Sequence, residues 1–172
     1  MKYLKRIGII LFLIVITITI LFICKVAPLL GSDGVFMPST TKIEHLLKTN
    51  CDQLSYVSKY MLELQYSFVR WDATERDKLT YYYEQNNGGI GKGVVEIDDP
   101  MLSENMNKLQ NAKFEHIIKE NNYIMFVKWS SLDSSCGLVY CQDDRPNMNG
   151  NGEISIKELG LNHWYYYKFM AN

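Results

Sequence analysis

The sequence predicts an α+β architecture: an N-terminal transmembrane helix, then a domain of two helices packed on an antiparallel sheet. Three observations lead there. Residues 7–24, IGIILFLIVITITILFIC, run without a charge; apolar residues from Ile43 to Leu64 recur at steps of three and four; and from Phe114 onward short runs of β-branched and aromatic residues replace that period. With 172 residues, 47% of them apolar, the chain holds one ordinary domain and is too hydrophobic to stay disordered. Its 11 Gly and 4 Pro follow no repeat, which excludes collagen-like and low-complexity chains.

At the helical rise, the uncharged run from Ile7 to Cys24 spans roughly 27 Å, enough to cross a bilayer. A cleaved signal peptide has a shorter apolar core and small residues before the cut. Here Lys25 and Val26 precede Ala27, and Leu21, Phe22 and Ile23 stand before Cys24, so the reading is an uncleaved signal anchor. Lys2, Lys5 and Arg6 on the short side outweigh Lys25 on the long side, which puts the N-terminus in the cytoplasm and the C-terminal domain outside. The expected organisation is a cytoplasmic start and single-pass anchor over 1–27, a stalk over 28–39 and an extracytoplasmic domain over 40–172. The cell membrane is the expected location, with the lipid bilayer met through residues 7–24. Without the four cations of the first 27 residues, 14 Lys+Arg face 19 Asp+Glu, a balance of −5. That charge excludes a nucleic-acid partner, whose phosphates need a basic patch.

Within the domain, Thr41 and Glu44 stand in capping-box spacing at the head of the first helix, which the apolar stripe Ile43, Leu46, Leu47, Cys51, Leu54, Val57, Met61 and Leu64 carries to its end. The stripe predicts that Ile43, Leu47, Leu54, Val57 and Met61 bury one face against a sheet containing Phe126, Val139 and Tyr140. A strand is expected to begin within Gln65 to Trp71, and Thr80 to Ile97 to form two strands around a glycine turn. Asp99 caps a second helix with Pro100 at its first position and Leu102, Met106 and Leu109 on its apolar stripe. Four strands follow in Phe114 to Lys119, Tyr123 to Trp129, Gly137 to Cys141 and Trp164 to Phe169, with Asn121-Asn122 as a tight turn.

Four segments invite a chemical reading. NMNGNGEISIKE, from Asn147 to Glu158, matches the spacing of an EF-hand loop: Asn147, Asn149 and Asn151 at the first three ligand positions, Glu153 offering a carbonyl, Ser155 at the ninth place and Glu158 as the bidentate carboxylate. No helix precedes it and Glu158 is the sole carboxylate among the side-chain ligands, so a polar loop between two strands is the expectation and calcium binding the alternative. GGIGKG, Gly88 to Gly93, lacks the spacing of a phosphate loop and reads as a hairpin turn. Among Cys51, Cys136 and Cys141, burial is the default for Cys51, and a mutual bridge between Cys136 and Cys141 is disfavoured because residues five apart lie on opposite faces of a strand. A Cys136–His163 pair is the one conceivable arrangement for a thiol or hydrolytic enzyme, unsupported by any local motif. The single histidines His45, His116 and His163 give no zinc spacing. Finally, Trp164 and Tyr166 share one face of the last strand, and exposed rings there would offer a stacking surface to a protein or a cell-wall glycan.

The segment GLVYCQDDRP, Gly137 to Pro146, followed after a loop by HWYYY, His163 to Tyr167, resembles the ending of small single-span membrane-anchored proteins of clostridia-like Gram-positive bacteria. The resemblance implies the anchor-plus-domain topology and the fold, and it supplies no activity, cofactor or site. The functional expectation is a membrane-anchored protein that acts by binding or interaction and not as an enzyme, with no cofactor.

Overall fold

The computed structural model describes residues 37–85, 88–143, 145–148 and 151–171. The expected anchor and residues 28–36 of the stalk lie outside them. Among the described residues no helix is long and apolar enough to cross a membrane. Pro38–Asn172 forms a compact unit with its own core.

The first helical segment is two helices, α1 (Thr40–Thr49) and α2 (Cys51–Glu63), and not one. Its cap is Ser39, whose hydroxyl accepts from the Lys42 N–H at 3.4 Å, and Thr41 is already inside the helix. The break falls at Asn50, which leaves helical geometry at φ −119° and ψ 23° while its amide Nδ2 donates to the Leu46 carbonyl at 2.9 Å. The Asn50 backbone N–H donates to the same carbonyl at 3.0 Å, so main chain and side chain together close the end of α1. The apolar period passes through the break undisturbed, so Ile43, Leu47, Leu54, Val57 and Met61 are all fully buried as expected.

Helix α3 (Pro100–Asn111) begins as predicted, with Asp99 accepting from the N–H groups of Met101 at 2.8 Å and Leu102 at 3.2 Å. It ends in a Schellman turn: Lys113 adopts φ 62°, its N–H reaches the Gln110 carbonyl at 2.7 Å, and the Phe114 N–H reaches the Leu109 carbonyl at 3.1 Å. Two carbonyls just past its end, those of Ala112 and Lys113, accept from the Lys128 ammonium at 2.8 and 3.1 Å. Lys119 serves α2 in the same way, donating to the carbonyls of Leu62 and Leu64. Both lysines are only 5% exposed, and each places its positive charge at the negative end of a helix.

Eight strands, β1 (Phe68–Asp72), β2 (Lys78–Glu84), β3 (Ile90–Glu96), β4 (His116–Glu120), β5 (Tyr123–Ser130), β6 (Ser134–Cys141), β7 (Gly152–Glu158) and β8 (Trp164–Ala171), form one sheet. Their order is β3-β2-β1-β4-β5-β6-β8-β7, with every pair antiparallel. The strand β7 is additional to the sequence expectation. It occupies the second half of the stretch with EF-hand spacing, where Glu153, Ser155 and Lys157 alternate with Ile154 and Ile156. A register shift in β5 between Val127 and Trp129 opens a bulge, and Gly137 of β6 lies against it: a Cβ there would come within 2.0 Å of the Phe126 carbonyl oxygen.

Alternation sorts the sheet into two faces. Val69, Trp71, Leu79, Ile117, Ile124, Phe126, Leu138 and Trp164 are buried on the helix side. There α1 lies against β6 and β8, and α2 against β5. The other face carries a second core of Tyr123, Val127, Val139, Cys141, Tyr165 and Tyr167, with Met148 and Ile156 packed on it. Val139 therefore belongs to this second core and does not meet α1 or α2, whereas Phe126 faces them as predicted. Glu120 of β4 and Ile154 of β7 line a single cavity of about 240 Å³ on this side. In a flat sheet those strands, four steps apart, would be separated by about 19 Å, so the sheet curls around this face.

Candidate functional site

The curled face is covered at one end and open at the other. Beneath Met148 the covered end is lined by Tyr123, Met125, Ser135, Ile154, Tyr167 and Phe169. Burial pushes the Tyr123 and Tyr167 hydroxyls above the ordinary phenol range, and the bond between Tyr123 and Glu120 reinforces this. Both hydroxyls stay neutral, which makes this end a packing core with polar fasteners.

The open end lies over β1, β2 and β3. Phe68 and Tyr82 meet edge to face across the β1–β2 pair, their ring centroids 5.2 Å apart. Together with Ser67, Arg70, Tyr83, Glu84 and Ile90 they line a cleft of about 430 Å³. Ile90 is 77% exposed, Val94 50% and Tyr83 47%, so large apolar groups face solvent at this end of the sheet. An adjoining cleft of about 170 Å³ is polar, with Lys78, Thr80, Lys92 and Glu75 around Arg70 and Asp72.

Between the clefts sits a charged cluster built by cross-strand register, Asp72 pairing His116 and Arg70 pairing Ile118. The Arg70 Nη2 lies 3.4 Å from Asp72 Oδ2 and 3.2 Å from His116 Nδ1, and that ring nitrogen is 3.2 Å from Asp72 Oδ2. One nitrogen cannot both accept from Arg70 and donate to Asp72. With Asp72 ionised, we assign Nδ1–H as the donor to the carboxylate and place the guanidinium beside the ring. Burial lowers the His116 pKa and Arg70 lowers it further, with Asp72 and Glu115 opposing in part, so the ring is neutral. Burial raises the Asp72 carboxyl, but bonds from the Thr74 N–H and hydroxyl, at 3.0 and 2.7 Å, together with His116 and Arg70 bring it below the usual range. Among the described residues, His116 hydrogen-bonds to Asp72 and Arg70 and to no hydroxyl or thiol. The arrangement places a cation at the edge of the aromatic cleft and, among the described residues, presents no nucleophile for His116 to activate.

The residues singled out from sequence fall elsewhere. Trp164 and Tyr166 are 3% and 9% exposed on the helix side, where the Trp164 ring packs 5.8 Å from Phe126 and 5.1 Å from Tyr140, so neither offers a stacking surface. Cys136 is buried and hydrogen-bonded to Tyr166, and burial pushes its thiol up to about 11. His163 stands at the other end of β6, where its carbonyl accepts from the Cys141 N–H at 3.0 Å, about 16 Å along the strand from Cys136. Cys136 and Cys141 point to opposite faces as expected. Cys51 is half-buried at the start of α2 and is not a core residue. Glu153 and Glu158 lie on the extended β7, about 17 Å apart by strand rise, whereas ligands of one calcium ion all lie within about 2.6 Å of it. Asn147 and Asn151 flank the loop, and Asn149 is outside the described residues. Among the described residues no three His, Cys, Asp or Glu side chains gather as a metal site.

Gly88, at φ 77°, makes the β2–β3 turn, but Gly91 and Gly93 lie inside β3. A Cβ on either would strike the Tyr83 or Tyr81 ring at 2.4 or 2.2 Å, so these glycines exist to let the rings of β2 lie across the strand. No family model matches the chain, and comparison with curated proteins and with solved structures gives no significant match.

Proposed function

We propose that the chain is a single-pass membrane protein with its N-terminus in the cytoplasm, whose domain works outside the membrane by binding a partner at the open end of the curled face. The anchor follows from residues 7–24 and the basic start. The observation that carries the binding reading is the cleft of about 430 Å³ over Phe68 and Tyr82, with Arg70 at its rim and exposed Ile90 beside it. Flat rings bordered by a guanidinium suit a protein segment or a cell-wall glycan that brings a planar apolar face and an anionic group. Burial of Cys136 and Cys141, both with raised thiol pKa, favours binding over thiol chemistry.

The test is cosedimentation of the full chain, in detergent, with purified cell-wall sacculi, paired with crosslinking from a photoreactive residue at position 82 in intact cells. Phe68→Ala with Tyr82→Ala should abolish retention, and Phe68→Ala alone should abolish the crosslink from position 82, with the circular dichroism unchanged in both. Equal retention and crosslinking in a folded Phe68→Ala variant with Arg70 also replaced would remove this face from the account.

A further inference from the structure

The strand β3 ends the sheet, and among the described residues no strand pairs with its outer edge. Its inner edge is defined by bonds at both ends of the β2–β3 ladder: the Ile97 N–H donates to the Asp77 carbonyl at 2.9 Å, and the Gln85 N–H to the Gly89 carbonyl at 2.7 Å. In an antiparallel ladder these bonded pairs recur at every second residue. The backbone groups of Gly91, Gly93 and Val95 are therefore spent on β2, and those of Ile90, Lys92, Val94 and Glu96 point away from the sheet. The same four side chains are exposed, while Gly91, Gly93 and Val95 are buried or half-buried. The free edge thus reads Ile, Lys, Val, Glu at alternating positions, with no proline to block a further strand.

We propose that this edge is a self-association site, at which a second copy of the chain pairs antiparallel about Val94. Only a few registers let the outward groups of one copy meet those of the other. Centred on Lys92, the pairing sets two lysines face to face; centred on Glu96, two glutamates; centred on Gly93, Lys92 meets Val94. Centred on Val94, each Lys92 faces the other copy's Glu96 and the two valines meet. Opposite charges directly across a ladder stabilise it and like charges oppose it, so the sequence of the edge selects this register. Each of the three facing pairs exchanges two main-chain hydrogen bonds. A lone edge lysine usually deters a passing strand. Here the glutamate four residues on supplies its one match. The other edge is less suited, because its outward residues Ile154 and Ile156 are half-buried against the curled face. Pairing at β3 keeps the two open faces on the same side of a joined sheet, and the inference does not depend on what those faces bind.

The full chain in detergent micelles, an equal mixture of ¹⁴N- and ¹⁵N-labelled protein, is treated with a zero-length carbodiimide and digested for mass spectrometry. Within one chain Lys92 and Glu96 are about 13 Å apart along the strand and cannot be joined directly. The expected product is a dimer with a Lys92–Glu96 linkage between isotopically different chains. By sedimentation velocity, which needs no amine at position 92, the dimer fraction of Lys92→Glu should fall at least fivefold, and adding Glu96→Lys to that variant should restore both the dimer and a linked product. Absence of the hybrid linkage, dimers joined only through other residues, or undiminished dimerisation of Lys92→Glu would overturn the proposal; the side chains changed are exposed, and circular dichroism verifies that each variant is folded.

Discussion

Replacing Lys128 by Met tests whether the buried lysines hold the helices to the sheet. The substitution keeps the length of the side chain and its packing beside the Phe114 ring, 6.0 Å from the ammonium. It removes the charge, and with it the cost of burying that charge. What remains is a helix end whose Ala112 and Lys113 carbonyls have lost the donor that met them at 2.8 and 3.1 Å. An acceptor left unsatisfied in a buried place costs about 1 to 3 kcal/mol. Ala112 is half-buried and Lys113 exposed, so water meets the second carbonyl and the loss comes mainly from the first, about 1 to 2 kcal/mol in total. For a domain of this size the melting temperature should fall by roughly 5 °C. Urea unfolding of the segment from Pro38 to Asn172, followed by tryptophan fluorescence, measures it. A loss below about 0.5 kcal/mol would mean that solvent already satisfies both carbonyls and that the lysine cap does not hold α3.

Three further outcomes follow from the packing. Leu54→Ala, at a fully buried site between α2 and the sheet, should destabilise the domain by about 2 to 5 kcal/mol in the same assay, and a near-zero change would place that face of α2 in solvent. Gly137→Ala should cost at least about 2 kcal/mol, since the new methyl meets backbone at the β5 bulge and no flexible side chain can yield; ordinary stability would show that the bulge can relax. His116 has its pKa lowered in the folded state by burial and Arg70. Its contribution to stability is full above the unfolded value of about 6.5 and is lost as pH falls below it, because the unfolded chain takes up the proton more readily. Between about pH 7.5 and 5, unfolding free energy should decline with falling pH in the native protein and less steeply in His116→Gln; equal slopes would show that His116 titrates alike in both states.

Much of this fold is legible in the sequence because burial is periodic. The Asp99-Pro100 start of α3, the apolar stripe through Met61 and the strand runs after Phe114 each follow from one local rule. The break at Asn50 is not legible in the same way, since it leaves the apolar spacing intact and shows only in the turn of one backbone unit. The strand β7 was hidden by a competing pattern: the alternation of Ile154 and Ile156 with polar neighbours is present, but the asparagines and glycines before it match a metal loop. Alternation puts Trp164 and Tyr166 on one face but cannot say which face the helices cover, and both faces of the first half of β8 are buried. The Arg70, Asp72 and His116 cluster joins residues up to 46 positions apart through the β1–β4 register, which no single segment encodes. A sign of it was available in FVRWD, where a charged residue interrupts the apolar positions of a short strand at alternate places.

The central claim is that this domain stands outside the membrane on an N-terminal anchor. Leu132, fully exposed in the turn between β5 and β6, supplies the position for the most direct test. In a background with Cys24 and Cys51 changed to Ser, Leu132→Cys is exposed in intact cells to a membrane-impermeant maleimide, and the membrane fraction is then washed with carbonate. The account predicts that the full-length chain is labelled without permeabilisation and stays with the membrane after the wash. Labelling only after the membrane is opened, or a labelled chain released by the wash, would contradict it.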